Sequence, residues 1–211
     1  MPLQKIEDNR GNPWGLWRIE EDETQLEAAA ASPERIPEAI RHPHKRLEWY
    51  AARVLVKTLM ERSGLTFQGI VKDVYGKPFP SGYAHHLSLS HSYPYVAAYL
   101  HATHPVGIDI QPPRSSLLRI AHRILDPSEL AFAGTDLNTH CVIWCAKEVL
   151  IKVHGRKDLI FSKNLRISPF SINSKGYFSG SIIVGTTETM VRLYYEMQPA
   201  FALVLNKPEP T

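Results

Sequence analysis

The sequence has little cysteine, no long apolar run and almost no surplus charge of either sign. Its two cysteines, Cys141 and Cys145, fall four apart in a predicted helix. That spacing closes no disulfide and is too sparse for a structural zinc site. The expectation is two reduced thiols in a cytoplasmic protein. Packing is the common use of a helical cysteine, and a nucleophilic Cys145 is the rarer alternative. No apolar run approaches the roughly 18 residues of a membrane-spanning helix. The opening stretch MPLQKIEDNRGNPWG carries charge and no apolar core, so it does not read as a secretory signal. The net charge of +3 is mild. It favours an anionic ligand or an acidic partner without demanding nucleic acid, and no nucleic-acid or membrane motif is present.

The 211 residues, 44% hydrophobic and 21% charged, are enough for one large domain or two small ones. Gly15–Glu20 reads as a short strand, Glu20–Ala31 as an acidic helix, and Pro33–Ile40 as a further short helical piece. His44–Ser63 is a strong helix. Leu47, Tyr50, Ala51, Val54, Leu55, Thr58 and Leu59 make its 3.6-residue stripe, and Gly64 ends it. Its other side carries Lys45, Arg46, Arg53, Lys57 and Arg62, either a solvated face or an anion-binding one. Gly69–Asp73 reads as a strand and Tyr75–Pro80 as a turn-rich loop. Leu87–Ser92 and Tyr95–Leu100 read as strands, the first ending in the hydroxyl-imidazole-hydroxyl run Ser90-His91-Ser92. Adjacent side chains on a strand diverge, and no neighbouring acid orients His91, so this run does not read as a nucleophilic site.

Val106–Ile110 is a buried-type strand holding one acid, Asp109. Burying an aspartate is costly unless it is paired or ligated. Gln111, two residues on, shares its face, and two such oxygens suit a hard cation. Leu117–Ile124 and a segment starting at Asp126 or Ser128 are short helices. A longer helix runs from Asn138 to Gly155, with Trp144, Glu148 and Lys152 on one face and Ala146, Val149, Leu150 and Val153 on another. Trp144 reads as a packing residue. Leu165–Ser168, Tyr177–Val184, Thr189–Glu196 and Ala200–Leu205 read as an antiparallel meander. The expected class is α+β, with two similar subdomains at residues 1–104 and 105–211. Each is a small antiparallel sheet packed against a long helix.

Five motifs stand in order along the chain: YGKP at Tyr75–Pro78, SLSHS at Ser88–Ser92, GIDI at Gly107–Ile110, RILDPSE at Arg123–Glu129, and WCAKEVLIK at Trp144–Lys152. With them the chain resembles, from about Lys45 to Val153, the 4′-phosphopantetheinyl transferases. The match is to the larger pseudodimeric type that activates peptide and polyketide synthases. The resemblance implies transfer of 4′-phosphopantetheine from coenzyme A to a serine of an apo acyl or peptidyl carrier protein, which is holo-acyl-carrier-protein synthase activity. It implies Mg²⁺, or Mn²⁺, at Asp109 and Glu148. Gln111 stands where larger members often carry a further metal-binding acid. Lys77, Ser90 and His91 match positions that hold the phosphates and nucleotide of coenzyme A. Lys147 and Lys152 match lysines flanking the pyrophosphate. Arg46 and Arg53 lie on the helix that supplies a coenzyme A-binding arginine, and Glu129 matches a recurring acid. Asp109, Glu148 and Lys152 are the expected catalytic centre, with Glu148 the candidate base. A catalytically weakened member that binds coenzyme A or a carrier protein is the alternative. A monomer is expected, because a pseudodimer forms its cleft within one chain.

Overall fold

The computed structural model describes residues 3–8, 11–156 and 158–208. Two compact units divide the chain after Val106. In the first, β1 (Leu3–Asp8), β2 (Pro13–Arg18), α1 (Glu23–Ala30), α2 (Pro43–Arg62), β3 (Ile70–Lys72), β4 (Pro78–Pro80), β5 (His86–Ser92) and β6 (Tyr95–His101) follow one another. The main sheet is antiparallel in the order β1-β2-β6-β5, and β3 and β4 form a separate pair. In the second unit come β7 (Ile108–Gln111), α3 (Ser116–Ile124), α4 (Pro127–Ala133), α5 (Leu137–His154), α6 (Phe161–Asn164), β8 (Leu165–Ile167), β9 (Lys175–Val184), β10 (Thr187–Gln198) and β11 (Phe201–Asn206). Its antiparallel sheet runs β7-β11-β10-β9-β8. The architecture is α+β, one long helix against one antiparallel sheet in each unit. No described helix is long and apolar enough to cross a membrane.

Local chemistry explains the helix ends. Pro43 occupies the first turn of α2, where a missing N–H costs nothing. Ala51, Leu55 and Leu59 on α2 are wholly buried against Leu87, Val96, Ala98 and Leu100 of the sheet. Helix α1 opens on a capping box in which Asp22 and Gln25 satisfy each other's backbone N–H. Helix α5 opens on Asp136, whose carboxylate accepts from Thr139 N at 2.7 Å. It closes on Gly155 in the left-handed region at φ +84°. Its buried face, Cys141, Val142, Cys145, Ala146, Val149 and Leu150, joins Leu165, Leu193 and Val204 in the second core. A Cβ on Gly107 would stand 2.5 Å from the carbonyl oxygen of Val149. Only glycine lets β7 run this close to α5.

Two expectations need correction, and one strand was missed. Pro33–Ile40 is not helical. Its prolines withhold backbone donors, and Glu34 is used as an anchor instead, bonding Arg53 Nε at 2.7 Å. The loop read at Tyr75–Pro80 contains β4, which pairs with β3. Strand β1, with no strict alternation of burial, was not legible at all.

Candidate active site

In the second unit, edge strand β7 carries Asp109 toward α5. The Asp109 side chain is 4% exposed, and Lys152 donates to its Oδ1 at 2.8 Å and to the carbonyl of Ile108 at 2.7 Å. Glu148 is half-buried one turn earlier on the same helix face. Gln111 is half-buried at the end of β7 and shares the Asp109 side of the strand. The expected centre of Asp109, Glu148 and Lys152 therefore sits on two elements packed directly together. Asp109 and Lys152 are in contact, and Glu148 is adjacent by helical spacing. Two carboxylates and an amide are all oxygen donors, a set that fits a hard divalent cation retaining water and phosphate oxygens. Among the described residues no three of His, Cys, Asp and Glu are grouped for a metal, so such a site would rest on Asp109 and Glu148, with Gln111 as the neutral third donor.

Cys145 is fully buried between Asp109 and Cys141. Burial above all, then these neighbours, pushes its thiol well above the ordinary range. A thiol held in that state is no nucleophile.

Lys147 corrects a reading. Its side chain is 0% exposed, and its ammonium meets Glu129 Oε2 at 2.6 Å and the carbonyls of Ile124, Phe161 and Leu165 at 2.9–3.1 Å. Burial lowers its pKa, and Glu129 works in the opposite direction. An ammonium surrounded by four acceptors has no donor left for a phosphate. Glu129, whose role the motif left open, is a structural hub. It also accepts from Asp126 N and Ile167 N at 2.8 Å each, joining α4, α5 and β8. Trp144 is a packing residue, as expected. It is half-buried against the second core, stacks on Phe161 at 5.7 Å, and lines an apolar pocket of about 350 Å³ with Ile120, Arg123 and Ile160.

In the first unit, the two arginines of α2 are committed internally. Arg46 donates through Nε to both oxygens of Glu23 at 2.9 Å and through Nη1 to the Ile40 carbonyl. Arg53 lies 3.3 Å over the Trp49 ring and pairs with Glu34, its side chain only 12% exposed. Desolvation lowers its pKa, and Glu34 opposes the shift. Neither guanidinium is held ready for a phosphate, because internal carboxylates already take the fork. Lys77 is half-buried in the β3–β4 turn, which is shaped by Asp73 accepting from Tyr75 N and Lys77 N. Burial lowers the Lys77 pKa, and Asp73 counters it.

Ser90 and His91 lie on β5 with opposite orientations. Ser90 is buried. His91 is on the side of α2, with its Nδ1 3.2 Å from Glu48 Oε2. The missing orienting acid of the sequence reading is thus Glu48. One signal pointed to it. Glu48 stands three, four and seven residues before the buried Ala51, Ala52 and Leu55, an acid on the core face of its helix.

Residues 105–202 match the model of the 4′-phosphopantetheinyl transferase superfamily. No curated protein matches the chain. The match spans β7 through α5 and the strands behind them, which are the elements that bring Asp109, Glu148 and Lys152 together. The matched region is just under half of the chain, and over it the chain is similar to the 4′-phosphopantetheinyl transferase superfamily.

Proposed function

We propose that the protein transfers 4′-phosphopantetheine from coenzyme A to a serine of an apo acyl or peptidyl carrier protein, as a pseudodimeric member of its superfamily. The observation that carries the reading is the Asp109–Lys152 contact at 2.8 Å, with Glu148 one turn away. In the reaction the serine oxygen forms a bond to the β-phosphorus of coenzyme A. The pyrophosphate P–O bond breaks, and 3′,5′-ADP departs. Glu148 takes the serine proton. Lys152, its side chain 26% exposed, is near enough to solvent to reach the pyrophosphate and offset charge as it develops. Asp109 holds that lysine in place and, with Glu148 and Gln111, would hold a divalent cation. When bound, Mg²⁺ supplies further neutralisation of the pyrophosphate. Ser90, His91 and Lys77 are assigned to coenzyme A on the strength of their motifs. The reading excludes Lys147, Arg46 and Arg53 from that role.

The test is mass spectrometry of an apo carrier protein incubated with the enzyme, coenzyme A and Mg²⁺. The expected result is a carrier heavier by one phosphopantetheine. Unmodified carriers of both acyl and peptidyl type would sink the reading. The neutral Gln111 favours one second reading, a weakened member that binds coenzyme A without efficient transfer. Calorimetric binding of coenzyme A with no carrier modification would select it.

A further inference from the structure

Glu48 is an acid without a part in the chemistry above, yet its side chain is only 2% exposed. Its Oε1 accepts from the backbone N–H of Tyr93 at 2.9 Å. Its Oε2 stands 2.6 Å from Lys45 Nζ and 3.2 Å from His91 Nδ1. Lys45 Nζ and His91 Nδ1 are themselves 3.5 Å apart. Both open to solvent, with 54% and 47% of their side chains exposed. We propose that Glu48 is a positioning residue that turns Lys45 and His91 into one anion-holding pair. The proposal rests on the reading that His91 faces coenzyme A, and it adds Lys45 and Glu48 to that site.

The chemistry runs from the buried oxygen outward. A carboxylate against Nδ1 selects the form in which Nδ1 carries the proton. Nε2 then offers a lone pair when the ring is neutral and an N–H when it is charged. Only the charged ring can donate from Nε2 to a phosphate oxygen. With a neutral His91 the cluster of Lys45, Glu48 and His91 sums to zero charge. With an imidazolium it carries one net positive charge. A carboxylate in contact favours that charged form, and the Lys45 ammonium beside it opposes it. The groups facing His91 from α2 are Lys45 and Glu48. On the hairpin, the Tyr93 N–H ties Glu48 to the turn, and His44 stacks on the Tyr93 ring at 3.8 Å. The helix, the hairpin and the pair are thereby held in one arrangement before any ligand arrives. Preorganisation of this kind lowers the ordering cost of binding.

The experiment combines two readouts on the full chain. In the ligand-free protein, NMR follows the titration of the His91 ring in the wild type and in Glu48→Gln. The expected midpoint falls when the carboxylate is lost. Identical midpoints would overturn the role of Glu48. Calorimetry then measures coenzyme A binding between about pH 6 and pH 8, across the usual histidine range. Relative to His91→Gln, wild-type affinity is expected to weaken several-fold as pH rises, the comparison cancelling the titration of the ligand's own phosphate monoester. His91 is half-exposed, so this variant keeps the fold and serves even if Glu48→Gln does not. Lys45→Met is expected to weaken binding at every pH. A wild type that binds no coenzyme A at any pH overturns the functional reading and this inference together. Identical pH profiles in the wild type and His91→Gln overturn only this inference.

Discussion

Two lysines of α5, five residues apart, show how one helix serves two ends. Lys147 has no exposed surface, one buried carboxylate and three carbonyls. Lys152 has one carboxylate, one carbonyl and about a quarter of its side chain open. Saturation marks the first as structural, since every donor direction is taken. The incomplete shell of the second marks it as available, since an ammonium near solvent can exchange partners for a phosphate. Residue type and motif position do not separate them, because both belong to the same WCAKEVLIK run. Only the count of acceptors around each nitrogen does.

The largest expected effect breaks the comparison on the side of stability. Lys147→Ala leaves Glu129 buried without its counter-charge, and urea unfolding should show a loss of about 3–5 kcal/mol. Lys152→Ala should cost clearly less in the same assay, because water reaches its site. Equal losses would erase the distinction. Next comes catalysis. Asp109→Ala and Glu148→Ala should each lower carrier modification by about 10²–10³-fold, the scale of one lost charge-stabilising group. Turnover by Asp109→Ala at the wild-type rate would refute the centre. A third test moves the strand rather than the charge. Gly107→Ala forces a Cβ against the Val149 carbonyl and should destabilise by about 1–3 kcal/mol. It should also reduce transfer, since β7 carries Asp109, whereas a conserved rate would show that the Asp109–Lys152 contact tolerates displacement. Smallest is Gln111→Ala, a partial, several-fold loss of transfer that should respond to raised Mg²⁺ concentration, because a neutral oxygen contributes less to a cation than a carboxylate. A loss as large as that of Asp109→Ala would place Gln111 beside the acids in importance.

The elements were mostly legible because their signals are local. The stripe of α2, the closing glycine of α5, and the alternation of β5 follow from period and terminus chemistry. The segment Pro33–Ile40 failed because a short run beside two prolines carries no periodic signal strong enough to oppose them. Strand β1 failed because it lies at an edge with little burial to pattern. In the site, Asp109 was legible as an acid inside an apolar strand. Glu48 carried the same kind of signal on a helix, and there it was masked by the basic residues around it.

By itself the sequence determined the helix periods, the strand alternation, and the order of motifs that carries the resemblance to the superfamily, since each depends on neighbours a few residues away. The tertiary structure alone decided which charges are spent and which are presented. Lys147 meets Glu129 across 18 residues and His91 meets Glu48 across 43. Ser90 and His91 part to opposite faces of β5. A charge buried with a full set of partners stabilises the fold, and one left partly solvated can serve a ligand. The distances that separate these cases exist only once the chain is packed.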